Sequence, residues 1–235
     1  MISGRKINAL VGKQFKTMTS NPFVITPLLL IPFMAFMFSL AFDSELLPGM
    51  IPLLLGMNMI LGAPTVISCL IAEEKEKNTL NVLITSTVSV LDFLISNVLI
   101  GVVCTVAINV FIFFVMSAGD IISFGTFMFL SSIGALASAL LGAVIGIAAK
   151  NQAAASTMVS PLMLLLLLPT FFPDNFLVDN VLYYFFTEQV INTMGDIAFN
   201  DTSLTLMPMA VIAANIAVLG IAFGWFYKKK GLGLE

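Results

Sequence analysis

The sequence predicts an all-α, polytopic membrane protein, with six transmembrane helices behind an N-terminal amphipathic interface helix and both termini cytoplasmic. Three observations carry that expectation. Of 235 residues, 59% are hydrophobic and 10% charged, whereas a soluble domain carries roughly 25% charged residues. Uncharged apolar stretches recur six times at about the 20-residue length that a 30 Å hydrocarbon layer demands. Finally, every Lys and Arg falls on the same side of the zigzag these stretches define, which the positive-inside rule assigns to the cytoplasm.

The spans are placed at Phe23–Phe42, Ile51–Ala72, Phe93–Ala118, Thr126–Ala149, Ser156–Phe172 and Leu204–Tyr227. Arg5, Lys6, Lys13 and Lys16 precede the first, Lys75 and Lys77 follow the second, Lys150 follows the fourth and Lys228, Lys229 and Lys230 follow the sixth. The opposite side holds Asp43, Glu45, Asp120, Asp174, Asp179, Glu188, Asp196 and Asp201 and no basic residue. A signal peptide is the rival for the first stretch, with Ser39, Leu40 and Ala41 as its cleavage signature. Its apolar region would be only 7–15 residues, and removing it would reverse the charge alternation.

Residues 1–22 form the amphipathic helix. Leu10, Gln14, Ile7, Met18, Val11 and Phe15 share one arc at 100° per residue, and Arg5, Lys16, Lys13 and Lys6 the other. Such a helix lies at the membrane surface with its lysines among anionic headgroups, either as an anchor that sets topology or as a partner-docking element. Residues 23–230 hold the six-helix domain, and 231–235 are a tail. Within the domain, the cytoplasmic loop 73–92 mixes both charge signs in Glu73, Glu74, Lys75, Glu76 and Lys77 with an apolar turn, Leu80, Val82, Leu83 and Ile84. Two readings fit it, a protein-docking element and a helix folded on the membrane surface. The exterior connection 173–203 carries Tyr183, Tyr184, Phe185 and Phe186 and reads as a re-entrant or surface helical pair. Asn200, Asp201 and Thr202 spell a glycosylation sequon that chance also produces.

No span carries an ionisable group near its middle, so ion- or proton-coupled transport lacks its usual relays. The absence of His removes His-assisted nucleophilic catalysis and the common zinc and iron sites. A net charge of −3 predicts no nucleic-acid partner. Energy for transport would therefore come from another molecule, and this chain has no G-x-x-x-x-G-K-[ST] loop of its own. Gly134, Ser138, Gly142 and Gly146 repeat every fourth residue, a pattern that lets a helix of the same subunit, or of a second copy, approach closely. Asn58, Asn97, Asn109 and Asn215 are candidates for lining a cavity or bridging helices. The run Leu162–Leu168 fits both a greasy constriction and a lipid-facing stripe. Pro27, Pro32, Pro52, Pro64, Pro161 and Pro169 predict kinks, and Cys69 and Cys104 act as small apolar residues.

Residues Glu74, Lys75, Glu76, Thr79, Leu80 and Leu83 resemble the E-[RK]-E-x-G-T-[LM]-E-x-L pattern of the ABC-2 family, the membrane subunits of type-2 ATP-binding cassette exporters. Asn78, Asn81 and Thr87 depart from that family's Gly, Glu and Pro. The resemblance implies that the loop is a coupling helix seated on a separate ATPase subunit, which holds ATP and Mg while this chain binds no cofactor. It implies a second permease copy, as homodimer or heterodimer, in a bacterial plasma membrane. It also implies a path lined by the second and fifth spans, which brings Asn58, Leu165 and Leu166 near substrate. The expected activity is export of an amphipathic or hydrophobic cargo, foremost an antimicrobial, bacteriocin-type peptide. Multidrug efflux and a non-transporting immunity or assembly factor are the alternatives.

Overall fold

A computed structural model describes residues 4–77, 89–172, 176, 180–199 and 204–229, and among these every extended element is helical. Helix α1 (Gly4–Ser20) leads into α2 (Pro22–Ala41) through Asn21. The Asn21 side chain accepts a hydrogen bond from the Phe23 amide at 3.0 Å, and Pro22 supplies a first helical residue that has no amide to satisfy. The next helix is one 30-residue rod, Leu47–Glu76, longer at both ends than the Ile51–Ala72 expected from hydropathy. It comprises α3 (Leu47–Met57), a π-helical turn (Asn58–Gly62) and α4 (Ala63–Glu76). Pro64 is the second residue after the π turn, at the point where an α-helical ladder would need the amide that proline lacks.

Helix α5 (Val90–Val115) starts at a capping box in which Ser89 and Asp92 accept each other's backbone amide. Helix α6 (Phe124–Ala148) is capped by Ser123, and α7 (Gln152–Phe171) by Asn151, whose side chain accepts from the Ala154 amide at 2.8 Å. Helix α8 (Phe186–Phe199) and helix α9 (Leu206–Lys229) complete the described chain. Among the described residues, five helices are long and apolar enough to cross a membrane: Pro22–Ala41, Leu47–Glu76, Leu91–Val115, Phe124–Ala148 and Leu206–Lys229. The fifth span expected from sequence, Ser156–Phe172, falls on the 20-residue α7.

The α3–α4 rod is the axis of the bundle. Its apolar window is 94% buried, whereas that of α9 is 11% buried and faces outward along most of its length. Helix α6 lies closest to the rod because its small residues remove the side chains between the two backbones. A Cβ at Gly142 would stand 2.6 Å from the Cα of Pro64, and one at Gly146 would stand 3.0 Å from the Cα of Ser68. One turn before Gly142, the Ser138 hydroxyl donates to the Met59 carbonyl inside the π turn. The four-residue repeat thus forms a contact within one chain.

Helix α1 turns Leu10, Gln14 and Met18 inward and leaves Phe15 exposed. Met18 meets Cys104 of α5, with the two sulfurs 3.5 Å apart. One stripe of the amphipathic arc is therefore spent on the bundle and the rest faces outward.

Candidate functional site

The charge-rich stretch Glu73–Lys77 forms the end of α4 and the turn after it, and four of its five charges reach other helices of the bundle. The Glu73 carboxylate accepts from the Asn21 side-chain amide at 2.9 Å, from the Gln152 side-chain amide at 2.6 Å and from the Lys77 ammonium. Glu74 pairs with Lys13 of α1 at 2.6 Å. Lys75 donates to the Ile147 carbonyl at 2.7 Å and to the Ala149 carbonyl, placing a cation on the C-terminus of α6, where unsatisfied carbonyls favour one. Glu76 accepts from the Gln152 amide at 3.3 Å, at the N-terminus of α7, where an anion is favoured. The Glu73 carboxylate beside Lys77 holds its ammonium above the usual lysine range.

Glu74, Lys75 and Glu76 are thereby brought together as the root of the loop and tie α4 to α1 and to the α6–α7 turn. Thr79, Leu80 and Leu83, the rest of the sequence-predicted coupling set, lie outside the described residues.

A cleft of about 400 Å³ opens between α2, α4 and α7, within the roughly 300–1,000 Å³ of small-ligand sites. Its walls are Thr26, Pro27, Leu61, Thr65, Ser156, Val159 and Ser160. The Thr65 hydroxyl is buried and has no hydrogen-bond partner. At Pro22 and Phe23 this cleft adjoins a second hollow of about 390 Å³, lined by Asn21, Glu73, Glu76, Lys77 and Gln152. An apolar groove with scattered hydroxyls thus runs into a charged mouth. Sequence reading missed the hydroxyl residues. The available signal was the i, i+4 spacing of Leu61 with Thr65 and of Ser156 with Ser160, which puts each pair on one helix face.

The sequence-predicted path residues separate. Asn58 is fully buried in the π turn and faces α5, where its amide donates to the Thr105 carbonyl at 3.0 Å and to the Asn109 side-chain oxygen at 2.6 Å. Leu166 is buried and Leu165 exposed, and neither lines the cleft. Asn97 bonds the Phe93 carbonyl, and Asn215 bonds the carbonyls of Val211 and Tyr184, so both act between or along helices.

At the opposite end of the rod, α8 enters the bundle instead of lying across it. Met194, Gly195, Ala198 and Phe199 sit beside Pro48, Ile51, Ile122 and Phe127 near the rim. Val190 reaches Gly134, with its Cγ2 3.2 Å from where a Cβ would stand. Gly134 lies seven residues further along α6 than Phe127, about 10 Å deeper at 1.5 Å per residue. The sequon at Asn200, Asp201 and Thr202 lies outside the described residues.

The family model described as ABC-2 family transporter protein matches residues 42–226. No curated protein matches the chain.

Proposed function

The chain belongs to the ABC-2 transporter family, and from that premise we propose that it is the permease of an ATP-driven exporter whose ATP and Mg sit on a separate ATPase subunit. Two permease copies, identical or similar, pair in a bacterial plasma membrane, with six spans each and both termini in the cytoplasm. The cargo is amphipathic or hydrophobic, foremost an antimicrobial-type peptide.

The observation that carries this reading is the root of the coupling loop. Glu73, Glu74, Lys75 and Glu76 attach the end of α4 to Asn21, Lys13, the last carbonyls of α6 and the first amide of α7. A push on the loop that follows therefore moves α1, α2 and the α6–α7 turn together with the axial rod. The cleft between α2, α4 and α7 is bounded by the helices so joined, and rigid-body motion of packed helices is the ordinary way such a cleft changes its opening. Its apolar walls and charged mouth suit a cargo with a greasy body and a polar head.

Co-expression with the cognate ATPase tests the reading. Combined Glu74→Gln, Glu76→Gln and Leu83→Ala substitutions are expected to abolish ATPase co-purification and ATP-dependent transport. Retention of both would overturn the coupling assignment.

A further inference from the structure

Glu188 lies near the deep, N-terminal end of α8 and is 5% exposed. Its carboxylate accepts a hydrogen bond from Asn192, and its Oε1 has no partner. The elements packed against α8 are α3, α6, α7, α9 and the short turn Leu182–Tyr184. Helices α3, α6 and α7 contain no titratable side chain apart from Tyr or Cys, and in fact none of either. The turn contributes Tyr183 and Tyr184. Helix α9 contributes Tyr227, Lys228 and Lys229 at its far end, twelve or more residues beyond the Asn215 that bonds the Tyr184 carbonyl. On α8 itself the other charge is Asp196, eight residues on, and Asp120 precedes the Ile121 and Ile122 that meet the rim end of the helix. No cation on these elements stands near Glu188.

We propose that α8 is a proton-locked plug: with Glu188 protonated the helix stays seated between α3, α6 and α9, and loss of the proton to solvent loosens it. The neutral carboxyl is the form a buried, cation-free site tolerates, and ionising it there demands either a counter-charge or access to water. Burial pushes the carboxyl up to about 7, so the change falls near neutral pH. The consequence reaches the axial rod. Val190, half a turn from Glu188, packs on Gly134, where Met59 of the π turn stands 2.5 Å from the missing Cβ. Unseating α8 uncovers that contact. Calling this end of the bundle the outer one rests on the proposed topology; the seating of α8 does not.

Hydrogen exchange of α8 amides in the full chain, in lipid nanodiscs and corrected for intrinsic rates, tests the plug independently of any ATPase. Protection in the wild type is expected to fall about tenfold between pH 6 and pH 8, since the open helix carries an ordinary carboxyl. Glu188→Gln is expected to show no pH dependence, with protection at or above the wild-type level at pH 6. In the wild type alone, infrared difference spectra should show a carboxyl band titrating in step with the loss of protection, which keeps the test valid if the variant fails to fold. Flat wild-type protection, equal pH dependence in the variant, or no carboxyl titrating near neutrality would each overturn the proposal, even with ATP-driven transport intact.

Discussion

The two ends of the axial rod handle buried charge in opposite ways. At the Glu73–Lys77 end, carboxylates and lysines are bonded to one another, to capping amides and to helix termini. At the α8 end, Glu188 is buried with an amide for company and no cation. A charge taken from water is tolerated only when partners replace the lost hydration, so the first end is a fixed joint that holds in its ionised form. The second is held by a neutral form that pH can remove. Helices tied at one end and releasable at the other are what alternating access asks of a bundle.

That contrast presupposes a rod and a neighbour that move as one. Gly142→Val puts methyls where the Pro64 backbone already stands, 2.6 Å from the new Cβ. We expect the largest loss here, upward of about 3 kcal/mol by overpacking, read as a drop in Tm or in folded yield. If the variant keeps its Tm, the close α4–α6 contact does not join the two ends.

Removing a carboxyl should have opposite signs at the two ends. Glu73→Ala strands the side-chain amides of Asn21 and Gln152 and is expected to destabilise by about 1–3 kcal/mol. Glu188→Gln is expected to stabilise above pH 7 by about 1–2 kcal/mol. The sign follows from the raised folded value of about 7 against 4.5. Wild-type stability is full below pH 4.5, where the group is neutral folded and unfolded, and declines as pH rises toward and through 7. Thermal unfolding at pH 5 and pH 8 separates the cases, and equal signs at both ends would dissolve the contrast.

The smallest effect belongs to the edge of the fixed joint. Lys13 is 43% exposed, and its pair with Glu74 is open to solvent on that side. Lys13→Ala should cost under about 1 kcal/mol, with the difference fading in high salt. A larger, salt-insensitive loss would show that α1 is held as firmly as α7.

Much of the architecture was legible in the sequence because it follows from local rules. Uninterrupted apolar runs mark helices that can cross a bilayer, and the Glu74–Glu76 pattern led to the family that residues 42–226 match. The path residues were less legible. Asn58 reads as polar and mid-span, but whether it faces a cavity or another helix depends on rotation about the rod, and the π turn resets that rotation by inserting a residue. The hydroxyls of Thr65, Ser156 and Ser160 are unremarkable in a list of residues and become a wall only when α4 and α7 stand face to face.

By itself, then, the sequence determined that this chain is a helical, multi-pass membrane protein of the ABC-2 family, since hydropathy and a short charged motif act over a few residues. Only the tertiary structure decided which helix is the axis, that Gly134–Gly146 serves a contact inside one chain, and that Glu73–Lys77 is a joint. It alone decided that Glu188, one more acid in an acidic connection, is buried without a cation. Those properties belong to pairs of residues far apart in the chain, and the partner that satisfies a buried charge, or is missing, is set by packing.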